Sequence, residues 1–151
     1  MIVITATPGA ELQATSVATQ FAIPYQASLE PGLAYWLVQS ATHLGLHTAD
    51  TQLKPLVIDF IAGKAKHRHD VSQAYGHPLV KAIGVKPDYT PTVIDTTAGM
   101  GDDAYLLASL GCKVTMLERH PVVAALLQDA LTRMNMHDID LTLQHIDAAC
   151  Y

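Results

Sequence analysis

The spacing of apolar and polar positions changes character near residue 90. Before that point, short apolar runs are broken by proline and glycine. Met1–Thr5 predicts a strand, and Pro8-Gly9-Ala10-Glu11 opens a helix that runs through about Gln20. Leu33–Val38 is rich in strand formers, and Leu44–His47 reads as its hairpin partner. Leu56–Phe60 predicts a further strand. His77–Gly84 reads as a short helix closed by Gly84, and Lys86–Pro91 as a linker.

After residue 90 the pattern becomes strand, helix, strand, helix, strand. Thr92–Asp95 is the first strand of this series, and a helix runs on to Leu110 with Asp102 or Asp103 expected to cap it. Gly111 supplies its stop. Cys112–Leu117 is the second strand and ends at Glu118. Pro121 suits the first position of the next helix. Val123, Leu126 or Leu127, Ala130 and Met134 are expected on its apolar face. Leu141–His145 is the third strand. Such an alternation implies a parallel sheet with crossover helices. The fold class is therefore α/β, the first half of a Rossmann-like sheet preceded by a small α+β N-terminal subdomain. Residues 1–90 are read as that cap, carrying a basic segment, and 91–151 as the Rossmann-like half domain.

Composition narrows the setting. Half of the residues are apolar and 15% are charged, which argues against disorder. No apolar run approaches the roughly 18 residues of a membrane span, and no basic region precedes the apolar N-terminus in the manner of a signal peptide. Cys112 and Cys150 are far apart without ligand spacing, so a reduced, cytoplasmic protein is expected. The net charge of −5 is unevenly spread, with a single basic zone, net +3, in residues 61–90. That zone, Lys64-Ala65-Lys66-His67-Arg68-His69, offers Lys64, Lys66 and Arg68 to nucleic-acid phosphates; a solvated loop is the plainer reading.

Three features recur at the carboxyl ends of the three consecutive strands, where open α/β sheets bind ligands. The first is the loop from Asp95 through Ala98-Gly99-Met100-Gly101 to Asp102 and Asp103, whose Gly99 and Gly101 permit a sharp turn close to a ligand. The second is Glu118, 17 residues beyond Gly101, placed to accept both hydroxyls of a ribose. The third is Asp147, placed to accept from an adenine amino group. Each alone has a bland reading as a tight turn, a solvated strand end or a helix cap. Their joint order and spacing point to a nucleoside. A nicotinamide dinucleotide is the rival ligand, with Ala104 at the third glycine position. Two acids at the helix start disfavour its pyrophosphate and suit the cationic amino group and sulfonium of S-adenosylmethionine.

The run from Val93 to Val114, with Asp95-Thr96-Thr97-Ala98-Gly99-Met100-Gly101-Asp102-Asp103 at its heart, resembles the family of ribosomal RNA small subunit methyltransferase J. So do Met116-Leu117-Glu118-Arg119-His120-Pro121-Val122-Val123-Ala124-Ala125-Leu126-Leu127 and, upstream, Asp59–Arg68. The resemblance is dense over about residues 55–130. It implies a cytoplasmic class I methyltransferase that uses S-adenosylmethionine to methylate a guanine N2 of 16S rRNA, with the small subunit as partner. It also implies cofactor contacts at Asp102, Asp103, Glu118, Arg119, Asp147 and Ala148. Two departures remove positive charge: Asp102 stands where the family usually has arginine, and Asp70–Gly76 replaces a glycine-rich, arginine-bearing segment. The family's Asp-Pro-Met-Phe-Pro motif, which forms the target-base pocket, has no counterpart after Asp147. The resemblance thus implies a C-terminally shortened relative that lacks its acceptor half, is inactive alone, and exposes a sheet edge at the Thr92–Asp95 strand through which copies could associate.

The remaining residues carry less. His67 and His69 are two apart and no further ligand completes a metal site, so none is expected. Trp36 and Tyr35 are expected in the cap core, and packing is the reading preferred for Tyr75 and Tyr89. No Ser-His-Asp or Cys-His arrangement is legible, and no residue is assigned a catalytic role. A noncatalytic cofactor- or RNA-binding remnant is the alternative from a different functional class.

Overall fold

The computed structural model describes residues 1–60, 74–134 and 139–146. The chain divides into two units, residues 1–58 with 120–133, and residues 59–119 with 134–151.

In the first unit, β1 (Ile4–Ala6), β2 (Tyr35–Gln39) and β3 (Leu44–Thr48) form a sheet in that order. β1 and β2 are parallel and are joined through α1 (Glu11–Gln20), whereas β2 and β3 form the predicted antiparallel hairpin, with Leu37 opposite Leu46. Successive strand side chains alternate between faces, so Leu37 and Gln39 turn to one side and Trp36 and Val38 to the other. Val3, Ile4, Leu37 and Leu44 are completely buried, and α1 lies against β1 and β2 with Ala14 buried.

The strand expected at Leu56–Phe60 does not form. Leu56 makes one isolated bridge with Leu46, exchanging two backbone hydrogen bonds of 2.9 Å, and the pairing goes no further. Pro55 has no N–H to offer, which ends the ladder on that side. Tyr35 is also not core: it is 52% exposed, while Trp36 is half-buried and stacks on His47 across the hairpin with ring centroids 6.2 Å apart. Burial, followed by the neighbouring His43, holds the His47 imidazole below its ordinary pKa.

The helix α4 (Pro121–Met134) groups with this unit over residues 120–133. Leu126, Leu127, Ala130 and Met134 are buried as expected, but the buried surface is wider than one stripe. Val122 is buried and Val123 only half-buried, and Ala124 to Leu127 are all at most 1% exposed. Four consecutive buried positions exceed the roughly 100° arc of a helix covered on one side only. At its end, the Arg133 guanidinium pairs with Asp129 at 2.8 Å and donates to the Ile58 carbonyl.

The second unit holds α2 (Pro78–Ile83), β4 (Thr92–Asp95), α3 (Asp102–Ser109), β5 (Lys113–Glu118) and β6 (Leu141–His145). β4, β5 and β6 form a wholly parallel sheet in sequence order. α2 ends where Gly84 takes a left-handed backbone, φ 82°, which glycine adopts without steric penalty. α3 packs on β5 through a face that includes Ala104 and Leu107, and Tyr105 stacks nearly parallel on Phe60 at 5.1 Å. Val114, Met116 and Cys112 are completely buried, and burial raises the Cys112 thiol pKa. β4 is an edge strand, and Ile94 on it is 48% exposed. The parallel strand–helix–strand series is that of a partial Rossmann-like fold, as the spacing predicted.

Candidate functional site

The site lies within the second unit and is built by the loops that leave β4, β5 and β6. β4 stops at Asp95 because the chain turns at once: the Asp95 carboxylate accepts the Thr97 N–H at 3.0 Å, fixing a side-chain-to-backbone turn. The backbone then passes through two left-handed glycines, Gly99 at φ 54° and Gly101 at φ 80°. Gly101 donates its N–H to the Ala98 carbonyl and accepts the Tyr105 N–H at the start of α3, both at 2.8 Å.

This corrects the expected capping. Neither Asp102 nor Asp103 caps α3; Gly101 is the cap and no side chain bonds the free amides there. Both acids sit in the first turn and are exposed, where a carboxylate is favoured by the positive end of the helix dipole.

β5 reaches further than β4. The register pairs Asp95 with Met116, so Glu118 stands two positions beyond the end of β4, level with its loop. Glu118 in turn lies opposite His145 of β6. The corner after β5 is tied to β6 twice: Ile146 donates its N–H to the Glu118 carbonyl at 3.0 Å, and the His145 imidazole bonds the Arg119 carbonyl at 3.2 Å.

Between these loops is a cleft of about 390 Å³, lined by Thr96, Thr97, Gly99, Leu117, Glu118, Arg119 and Ile146. Its volume suits a small-molecule ligand. Of the residues expected at a cofactor site, Gly99, Glu118 and Arg119 are brought together on its wall. Asp95 and Gly101 shape the loop without lining the cleft, and Asp102 and Asp103 follow on the first turn of α3. Asp147, Ala148, Lys64, Lys66 and Arg68 fall outside the described residues. Thr96, Thr97, Leu117 and Ile146 line the cleft without having been singled out. The signal that could have found them is position: each lies within two residues of an expected site residue at a strand end. Among the described residues no group of three or more histidines, cysteines or acids is placed to hold a metal ion.

The family model described as "Putative SAM-dependent methyltransferase" matches residues 17–148. The chain belongs to this methyltransferase family. S-adenosylmethionine is the family's cofactor, and the cleft fits such a ligand in two respects: a glycine of the turn after β4 and an acid at the end of β5 both line it. Among solved structures, this methyltransferase chain is similar to a SAM-dependent methyltransferase from Neisseria gonorrhoeae, with a TM-score of 0.79 and 28% identity over 99% of this chain and 61% of that one. Curated relatives include ribosomal RNA small subunit methyltransferase J of Tolumonas auensis, 46% identical over 87% of this chain and 51% of its own length. The protein of the same name from Proteus mirabilis is 51% identical over 64% of this chain and 40% of its own. The chain thus spans about half the length of the curated relatives it matches. Among the described residues no helix is long and apolar enough to cross a membrane.

Proposed function

We propose that this chain forms the donor-binding part of an S-adenosylmethionine-dependent methyltransferase acting on small-subunit ribosomal RNA, with a guanine N2 as acceptor. The observation that carries the cofactor reading is the meeting of Gly99 and Glu118 on one cleft at the ends of adjacent parallel strands. The small-subunit rRNA part of the reading is supported by the names of the relatives, which are ribosomal RNA small subunit methyltransferases, and the guanine N2 by the family resemblance alone.

In this reading Glu118 accepts hydrogen bonds from the ribose hydroxyls, and Gly99 lets the backbone approach the ligand closely. Asp102 and Asp103 offer negative charge to the cationic end of the donor, and Asp147 with Ala148 serves the adenine. Lys64, Lys66 and Arg68 serve RNA phosphates. The bound donor supplies a methyl group on a sulfonium, an electrophile that an amine attacks in line. The chemistry asks mainly for positioning of two reactants, and the residues described here hold and orient one of them. Because the matched segments cover only 40% and 51% of those relatives, the 151 residues assayed alone are expected to bind donor without turnover. The open edge of β4 gives the same residues a route to self-association.

Calorimetric titration with S-adenosylhomocysteine and with NAD tests the cofactor part: saturable binding of the first alone supports it, and binding of NAD alone would overturn it. Transfer of a labelled methyl group to small ribosomal subunits lacking the mark separates an enzyme from a noncatalytic remnant.

A further inference from the structure

We infer that His145 is a positioning residue for the cofactor acid, holding the corner after β5 so that Glu118 is presented to the cleft. The inference rests on the cofactor reading proposed above and adds to it a residue that never touches the ligand.

β6 runs parallel to β5 and pairs His145 with Glu118, so the last residue of β6 lies beside the acid. A strand end of this kind is normally free to fray, because its ladder partners run out. Here the last bond of the ladder comes from the residue just after β6. Ile146 donates its N–H to the Glu118 carbonyl at 3.0 Å. The imidazole then reaches one residue further and meets the Arg119 carbonyl at 3.2 Å. A carbonyl oxygen can only accept, so Nε2 carries the proton and acts as donor. Two successive carbonyls, those of Glu118 and Arg119, are thereby held by Ile146 and by His145, the last residue of β6. Fixing the 118–119 and 119–120 peptide groups, on either side of Arg119, holds the backbone corner from which the Glu118 side chain projects. Ile146 is itself on the cleft wall, so the clamp and the ligand-facing surface are one structure.

His145 is exposed, which makes it a site where substitution leaves the buried core untouched. A surface residue ending a strand has no packing reason to be histidine. The side-chain hydrogen bond to the Arg119 carbonyl gives a physical reason for a long, flat donor there. Phenylalanine has the shape without the donor, and glutamine places an amide N–H at similar reach.

The test measures binding of S-adenosylhomocysteine and of its 2′,3′-dideoxy analogue to the full chain and to two variants, with thermal melts alongside. His145→Phe is expected to weaken S-adenosylhomocysteine roughly three- to tenfold, the span of one net hydrogen bond. His145→Gln is expected to retain affinity within about twofold by the same count. The dideoxy analogue, which has no diol for Glu118 to hold, is expected to bind all three proteins alike. Wild-type affinity in His145→Phe would overturn the inference while leaving the cofactor reading intact. So would an equal loss for both ligands, because that pattern belongs to a general structural role. A wild-type chain that binds neither ligand would bring down the cofactor reading and this inference together.

Discussion

Replacing Glu118 by glutamine isolates the interaction on which the donor site is said to depend. The amide has the size of the carboxylate and keeps one oxygen, so packing at the end of β5 is preserved. What is lost is the charge and one acceptor, since the amide nitrogen donates and two ribose hydroxyls also need to donate to this group. Hydrogen bonds to charged groups contribute about 1.5–3 kcal/mol each. Glu118 is half-buried at the mouth of an open cleft, so the low end of that range applies. Loss of one such bond with partial retention of the other predicts a cost of about 1.5 kcal/mol, or roughly tenfold in Kd. Calorimetry with S-adenosylhomocysteine measures it, and a melt of the free protein separates binding from folding. Because the side chain is polar and partly exposed, the melting temperature is expected to be nearly unchanged. Unaltered affinity in Glu118→Gln, beside a wild type that binds, would refute the argument that this acid holds the ribose.

Other expected outcomes follow from the same geometry. Gly101→Ala places a Cβ on a left-handed residue at φ 80°, which costs about 1–2 kcal/mol, offset in part by a stiffer unfolded chain; denaturant unfolding is expected to show the net loss, and equal stability would contradict it. His47, whose pKa is lowered by burial and by His43, takes up its proton more readily in the unfolded chain, so its contribution to stability is lost as pH falls below the unfolded value of about 6.5. His47→Phe is expected to flatten the dependence of melting temperature on pH between about 7 and 5.5, and an unchanged slope would contradict that. Ile94→Lys puts a charge on the exposed edge strand and is expected to shift light-scattering mass toward the monomer; if the wild type is already monomeric at high concentration, edge association is excluded.

The parts of this fold that were legible in the sequence are those where local pattern and tertiary pairing agree. Thr92–Asp95 and Leu141–His145 are strands with the expected bounds, because each pairs with β5 along its whole length. Leu56–Phe60 has the same composition but finds only one bridge, at Leu46. Strand formation depends on a partner along the whole run, and Pro55 removes a donor from the ladder. The capping of α3 departs from the expected one for a related reason. Aspartates at a helix start suggest a side-chain cap, but the left-handed turn at Gly101 starts the helix without one. At the site, the flagged glycine and acids mark where the strand ends converge. They do not mark Thr96, Thr97 or Ile146, whose role as wall residues arises from register between strands distant in sequence. The same is true of His145, which acquires its partner at Arg119 only when β6 lies beside β5.

The most direct test of the central claim is an amide chemical-shift map of the isotope-labelled chain titrated with S-adenosylhomocysteine. The account predicts the largest shifts at Thr97, Gly99, Glu118, Arg119 and Ile146, on the three loops that enclose the cleft. Shifts confined to other residues, with those five unmoved at saturation, would contradict it.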